Sequence, residues 1–184
     1  MNLQTISEHT VDMDLLSEPS VIVDIGCRGF EFTNYFRGLN HKVYPIDIDV
    51  LHNPEYYRVA ITGKNGYVGV KYNKDPQATC VIEGNDIVSM TLEQFLLTEN
   101  YHFVDLVKID VEGSEKDIIL SLVEPPAKQL SIEFHLHTGV YSYPEVALMV
   151  GKLKSLGYEV IRHELESRHG AGKNFWDSLF ILRE

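Results

Sequence analysis

The stretch "VKIDVEGSEKDI", residues 107–118, turns an apolar strand into a helix across a pair of acids. The apolar run from Phe103 to Ile109 ends at Asp110, and Glu112 and Gly113 follow. Ser114, with Asp117 three residues on, opens a helix that Pro125–Pro126 stops. The same unit recurs on either side. "VIVDIG" (21–26) is a β-branched run closed by a glycine turn, and "EFTNYFRGL" (31–39) sets Phe32, Tyr35, Phe36 and Leu39 along one helix side. "KVYPIDID" (42–49) reads as a second strand in spite of Pro45. "YYRVAI" (56–61) reads as a third, and "TGKNG" turns it into a hairpin with "YVGVKY". Thr91 caps a helix with Gln94, "LSIEFHL" (130–136) is a strand, and a helix from Pro144 puts Val146, Met149, Leu153 and Leu156 on one face. "YEVIRH" and "SLFIL" have no helix between them, so they pair antiparallel. This alternation predicts an α/β fold, a Rossmann-like doubly wound sheet, mostly parallel, with an antiparallel C-terminal strand.

The 184 residues suffice for one domain, taken as 19–184 behind an N-terminal extension, 1–18. Acids outnumber bases 27 to 16, a formal charge of −11, so a nucleic-acid partner is disfavoured. The first residues lack the apolar core of a signal peptide, and no run approaches the roughly 20 apolar residues of a membrane helix. A soluble, cytoplasmic protein without a membrane partner is expected. Cys27 and Cys80 are too few for a zinc site of their own.

Sheets of this kind bind ligands at the carboxyl ends of their strands, where the strand order reverses. Asp24, Asp47, Asp110 and Glu133 all fall there. The loop "DIGCRGF" (24–30) has two glycines where a dinucleotide fingerprint wants three, and an acid precedes the first. A carboxylate at that point repels a pyrophosphate but suits an ammonium or a sulfonium. S-adenosylmethionine (SAM) carries both, and Asp47, 21 residues after Gly26, lies where an acid accepts ribose hydroxyls. Two rivals stand beside this reading: an NAD-dependent oxidoreductase, and a SAM-binding fold that has lost catalysis and serves as an interaction module.

Taken together, "VDIGCRGF", "VYPIDID", "VAITGKNG", "DLVKIDVEGSEKDII" and "LSIEFH" resemble, in order and spacing, the FkbM-type SAM-dependent methyltransferases. The resemblance runs from about Pro19 to the C-terminus, and "KIDVEGSE" is its most specific part. It implies O-methylation of a hydroxyl on a small-molecule or carbohydrate acceptor, with S-adenosylhomocysteine (SAH) as product. Asp24, Gly26, Cys27, Arg28 and Gly29 would form the methionine-side loop. Asp47 would hold the ribose, Ile48 would lie beside the adenine, and Asp110 would sit next to the methyl group. Phe30 departs from the family, which has a glycine there.

"IEFHLH" places Ile132, Phe134 and Leu136 on one strand face and Glu133, His135 and His137 on the other. Glu133 or His135 is the expected general base. Asp110, Glu133 and His135 also offer ligand types for a divalent metal, but residues two apart on a strand lie about 6.5–7 Å from each other, so the metal-free version is favoured. Glu115 and Asp117 read as solvated first-turn acids. The acceptor pocket is expected in loops such as 73–90 and 164–174.

Overall fold

A computed structural model describes residues 1–49, 55–72, 79–136, 139–168 and 173–183 of the chain. Among these residues twelve strands form three sheets, accompanied by four α-helices. β1 (Leu3–Ile6) and β2 (His9–Asp12) make an N-terminal hairpin. β3 (Val21–Ile25), α1 (Glu31–Gly38), β4 (Lys42–Asp47) and β5 (Tyr57–Arg58) follow. Next come β6 (Ala60–Ile61), β7 (Gly66–Lys71), β8 (Cys80–Met90), α2 (Leu92–Thr98), β9 (Val104–Ile109) and α3 (Glu115–Ser121). β10 (Ala127–His135), α4 (Tyr143–Ser155), β11 (Tyr158–Arg168) and β12 (Lys173–Leu182) complete the chain.

The main sheet has seven strands in the order β11-β12-β10-β9-β3-β4-β5. β12 runs antiparallel to both neighbours, whereas β10, β9, β3, β4 and β5 pair in parallel. This is the expected architecture. The order reverses between β3 and β9, so the crevice forms above their carboxyl ends. Helices cover both faces: Phe95, Ile118 and Met149 of α2, α3 and α4 pack with Val23, Ile109 and Phe134 on one side. Phe32 and Phe36 of α1 pack with Ile22 and Leu106 on the other, and the hairpin's Ile6 and Val11 join that cluster. Tyr35 of α1 and Leu39 at its C-cap stay partly exposed, so the helix buries a narrower stripe than its sequence suggests.

Pro45 sits inside β4, paired with Asp24 of β3. The carbonyl of Ile46 turns toward β3, so residue 45 turns to the other side, where β5 pairs only with Ile46 and Asp47. Among the described residues no partner there asks Pro45 for the N–H it lacks.

The second sheet overturns two expectations. "YYRVAI" splits into β5 and β6, which belong to different sheets, and "YVGVKY" does not fold back on it. Instead β8 lies between β6 and β7, parallel to the first and antiparallel to the second. Residues 80–90, expected as loop, are therefore a strand. Its register jumps from Ile87 to Ile82 across one step of β7, a bulge over "EGND" that carries the turn-like composition. The other expected loop is also mostly strand, in β11 and β12. Residues 73–78 and 169–172, like His137, lie outside the described residues. Among the described residues no helix is long and apolar enough to cross a membrane.

Candidate active site

A cavity of about 840 Å³ opens at the crevice, and all ten candidate residues line it: Asp24, Gly26, Cys27, Arg28, Gly29, Asp47, Ile48, Asp110, Glu133 and His135. The two central strand ends fix its floor. Gly26 leaves β3 with φ +82°, and a Cβ there would lie 1.7 Å from the carbonyl oxygen of Asp110. Only glycine lets the two strand ends approach so closely. The N–H groups of Gly26 and Cys27 both donate to the carbonyl of Ile46, which ties the loop to β4. Cys27 is buried, and burial followed by Asp24 pushes its thiol well up, so it is an inert loop residue. Phe30 takes the left-handed backbone, φ +60°, that a glycine would hold more easily, and its ring meets Tyr56 edge-on. Position 30 thus holds a glycine-like backbone with an aromatic side chain.

Asp47 ends β4 and accepts the N–H of Asp49 at 2.8 Å. Burial raises its pKa, although that hydrogen bond works the other way. Ile48 packs toward the small sheet, against a cluster of Ala60, Val68 and Ile87. One end of the cavity is thus a carboxylate beside an apolar wall.

The other end is a network that the sequence only partly predicts. Lys108, buried at the end of β9, contacts the carbonyl of Gly26 at 2.8 Å, Asp24 Oδ1 at 3.0 Å and Asp110 Oδ2 at 3.4 Å. Burial opposes its charge, but Asp24 and Asp110 outweigh burial and hold the ammonium protonated. Asp24 is fully buried and also accepts from Thr33 Oγ1 at 2.6 Å. Its charge is therefore matched inside the protein by Lys108. Asp110 keeps 27% of its side chain exposed, toward the cavity. Lys108, His9 and His135 all contact it, and they overcome its desolvation to hold the carboxyl well below the usual carboxylate range.

His135 corrects a further expectation. Its Nδ1 lies 2.5 Å from Glu115 Oε1, and its Nε2 lies 3.3 Å from Asp110 Oδ1 and 3.6 Å from Glu112 Oε1. Glu115, expected as a solvated acid, is fully buried and also accepts from Tyr141 Oη and from the N–H of Gly113. Burial lowers the pKa of His135, but Glu115 and Asp110 outweigh it and raise the imidazole to about 10. A group raised in the folded state gives stability that is full below its unfolded pKa, about 6.5. That stability is lost as pH rises through the folded value of about 10. The urea midpoint of the protein should therefore decline between pH 7 and 10, and His135→Gln should flatten the decline. Equal slopes in the two proteins would contradict the charged imidazole.

His9, Asp110 and Glu133 each bring one ligand-type atom within 4.8 Å of the others. Asp110 already touches the ammonium of Lys108 at 3.4 Å and the imidazolium of His135 at 3.3 Å. A dication beside it would meet two positive charges at short range in a poorly solvated site. The donor set fits a carboxylate held by cations better than a metal centre.

The sequence profile of the methyltransferase FkbM domain matches residues 32–160. The chain belongs to the FkbM methyltransferase family. SAM is its methyl donor, and the cavity has room for it: the volume lies within the roughly 300–1,000 Å³ of small-molecule and cofactor sites. No curated protein matches the methyltransferase. Among solved structures it is similar to the 1,6-didemethyltoxoflavin-N1-methyltransferase of Burkholderia thailandensis, at 13% identity and a TM-score of 0.46, covering 90% of this chain and 72% of that one. It is also similar to the magnesium protoporphyrin IX methyltransferase of Synechocystis PCC 6803, at 15% identity and 0.49, covering 90% and 71%. The ribosomal protein L11 methylase of Lactobacillus delbrueckii subsp. bulgaricus stands at 13% identity and 0.45, covering 90% and 71%.

Proposed function

We propose that this methyltransferase transfers the SAM methyl group to a hydroxyl oxygen of a small-molecule or carbohydrate acceptor. One observation carries the reading. Asp110, Glu133 and His135 line the same cavity as Gly26 and Asp47, so an acceptor seated against them lies beside the cofactor space. Residues 19–184 are the SAM-dependent methyltransferase domain in this reading, and residues 1–18 an N-terminal extension whose hairpin packs into its core.

SAM supplies an electrophilic methyl group on a sulfonium. The chain supplies position and a proton acceptor. The loop 24–29 holds the methionine side, Asp47 the ribose and Ile48 the adenine. Asp110, fixed by three partners, stands beside the methyl position. Glu133 takes the hydroxyl proton. His135, protonated, donates to Asp110 and does not act as the base, which divides the two roles that the sequence leaves joined.

The test is transfer of labelled methyl groups from SAM to a panel of sugars and small alcohols, with and without EDTA. Label on a hydroxyl, at a rate that EDTA leaves unchanged, is the expected result. Label found solely on RNA or on protein lysines would overturn the acceptor class, and activity lost to EDTA and restored by Mg²⁺ would overturn the metal-free chemistry. Asp47→Ala should weaken SAM binding by about 1.5–3 kcal/mol, roughly ten- to a hundredfold, for a charged hydrogen bond. Unchanged affinity in a folded Asp47→Ala protein would remove Asp47 from the ribose site.

A further inference from the structure

We infer that the N-terminal hairpin is part of the catalytic centre, with His9 as a positioning residue that fixes the carboxylate of Asp110. The inference rests on the reading of Asp110 at the methyl position. His9 begins β2 and is fully buried, and its Nε2 lies 3.3 Å from Asp110 Oδ2. Its other nitrogen, Nδ1, faces Ser131 Oγ on β10 at 3.4 Å. Phe32 meets the ring edge-on, with centroids 5.8 Å apart. The imidazole is thus held by β10 on one side and by α1 on another, and it reaches Asp110 with its free edge.

β2 is itself held firmly. Gln129 accepts the N–H of Asp12 at 2.9 Å and donates to its carbonyl at 3.1 Å, while Thr10 Oγ1 donates to the buried Asp177 at 2.7 Å. Ile6 and Val11 pack into the core with Ile22 and Leu106. The turn between the strands, Ser7–Glu8, reaches the cavity wall. Asp110 would otherwise be oriented by Lys108 at one oxygen and His135 at the other. His9 adds a second contact at Oδ2, so that oxygen is fixed from two directions and the carboxylate cannot pivot about its contact to His135. A site residue works best when its rotamer is locked from behind in this way.

The experiment needs no acceptor. Sinefungin, a SAM analogue with an amine-bearing carbon in place of the methyl sulfonium, puts a positive charge where the methyl group sits, and SAH does not. The preference for sinefungin over SAH therefore reads the carboxylate of Asp110. Asp110→Asn should reduce that preference about tenfold, as for one charged hydrogen bond. His9→Ala should reduce it several-fold with SAH affinity held within about twofold, and His9→Gln, which keeps a donor near the Nε2 position, should recover most of it. A preference that falls in Asp110→Asn but not in His9→Ala would overturn the role of His9. So would equal loss of SAH and sinefungin binding in His9→Ala, or a Gln variant no better than Ala. A preference unchanged in Asp110→Asn would instead overturn the reading of Asp110 itself.

Discussion

Lys108→Met should destabilise the methyltransferase by about 3–5 kcal/mol, the cost of breaking a buried ion pair from one side. Lys108 is 5% exposed at its side chain and Asp24 is 0%, so solvent cannot take over when the ammonium is gone. Met keeps most of the volume, which isolates the loss of charge, the ammonium's place over the Phe32 ring included. Two carboxylates then face each other across the end of β9 without their shared cation, and the carbonyl of Gly26 loses its donor. For a chain of this length the melting temperature should fall by roughly 10 °C. Adding Asp24→Asn should return part of the loss, since it removes the charge that Lys108 balanced. A melting temperature within about 2 °C of wild type for Lys108→Met would contradict the network, and so would a double variant no more stable than the single one. SAH affinity should fall along with stability, because the ammonium holds the glycine loop and Asp110 together.

Why the sequence discloses some of this centre and hides the rest follows from which signals are local. Strands such as "VIVDIG" and "VKID" carry continuous apolar runs, and their carboxyl ends are fixed by a glycine or an acid. The converging acids are therefore legible in the chain itself. Lys108 is not, because a lysine inside a strand reads as a solvent-facing residue. Its burial depends on Asp24, which is distant in the chain but adjacent across the β3–β9 ladder, where Asp24 pairs with Lys108. Glu115 misleads for a similar reason. A first-turn acid is usually solvated, and its partner His135 lies on β10. His9 is hidden by its turn. Ser7 and Glu8 take left-handed angles of +44° and +74°, so the tight hairpin forms without the Asn-Gly or Gly-Gly pair that marks such turns. β8 is hidden by the reverse effect, because a bulge imports turn residues into a strand.

Gly26→Ala carries the other large expected effect, and its sign is set by two independent terms. An alanine at φ +82° gives up about 1–2 kcal/mol against the left-handed backbone alone. Its Cβ would also lie 1.7 Å from the carbonyl oxygen and 2.8 Å from the carbonyl carbon of Asp110. Both are backbone atoms, held by the bond from the N–H of Asp110 to the carbonyl of Ile25, so neither can swing aside as a side chain could. The strand ends must separate, which disrupts the floor of the cavity and the seat of Lys108 together. The total should reach at least about 3 kcal/mol, with SAH affinity reduced by a hundredfold or more. Gly151 supplies the contrast. It is exposed within α4, and a Cβ there meets nothing within 4 Å. Gly151→Ala should raise stability by about 0.5–1 kcal/mol through helix propensity and leave SAH binding unchanged. Urea unfolding and SAH calorimetry on the two variants would check this. If Gly26→Ala leaves stability and SAH affinity close to wild type, the close approach of β3 and β9 at Gly26 is not what shapes the cavity floor.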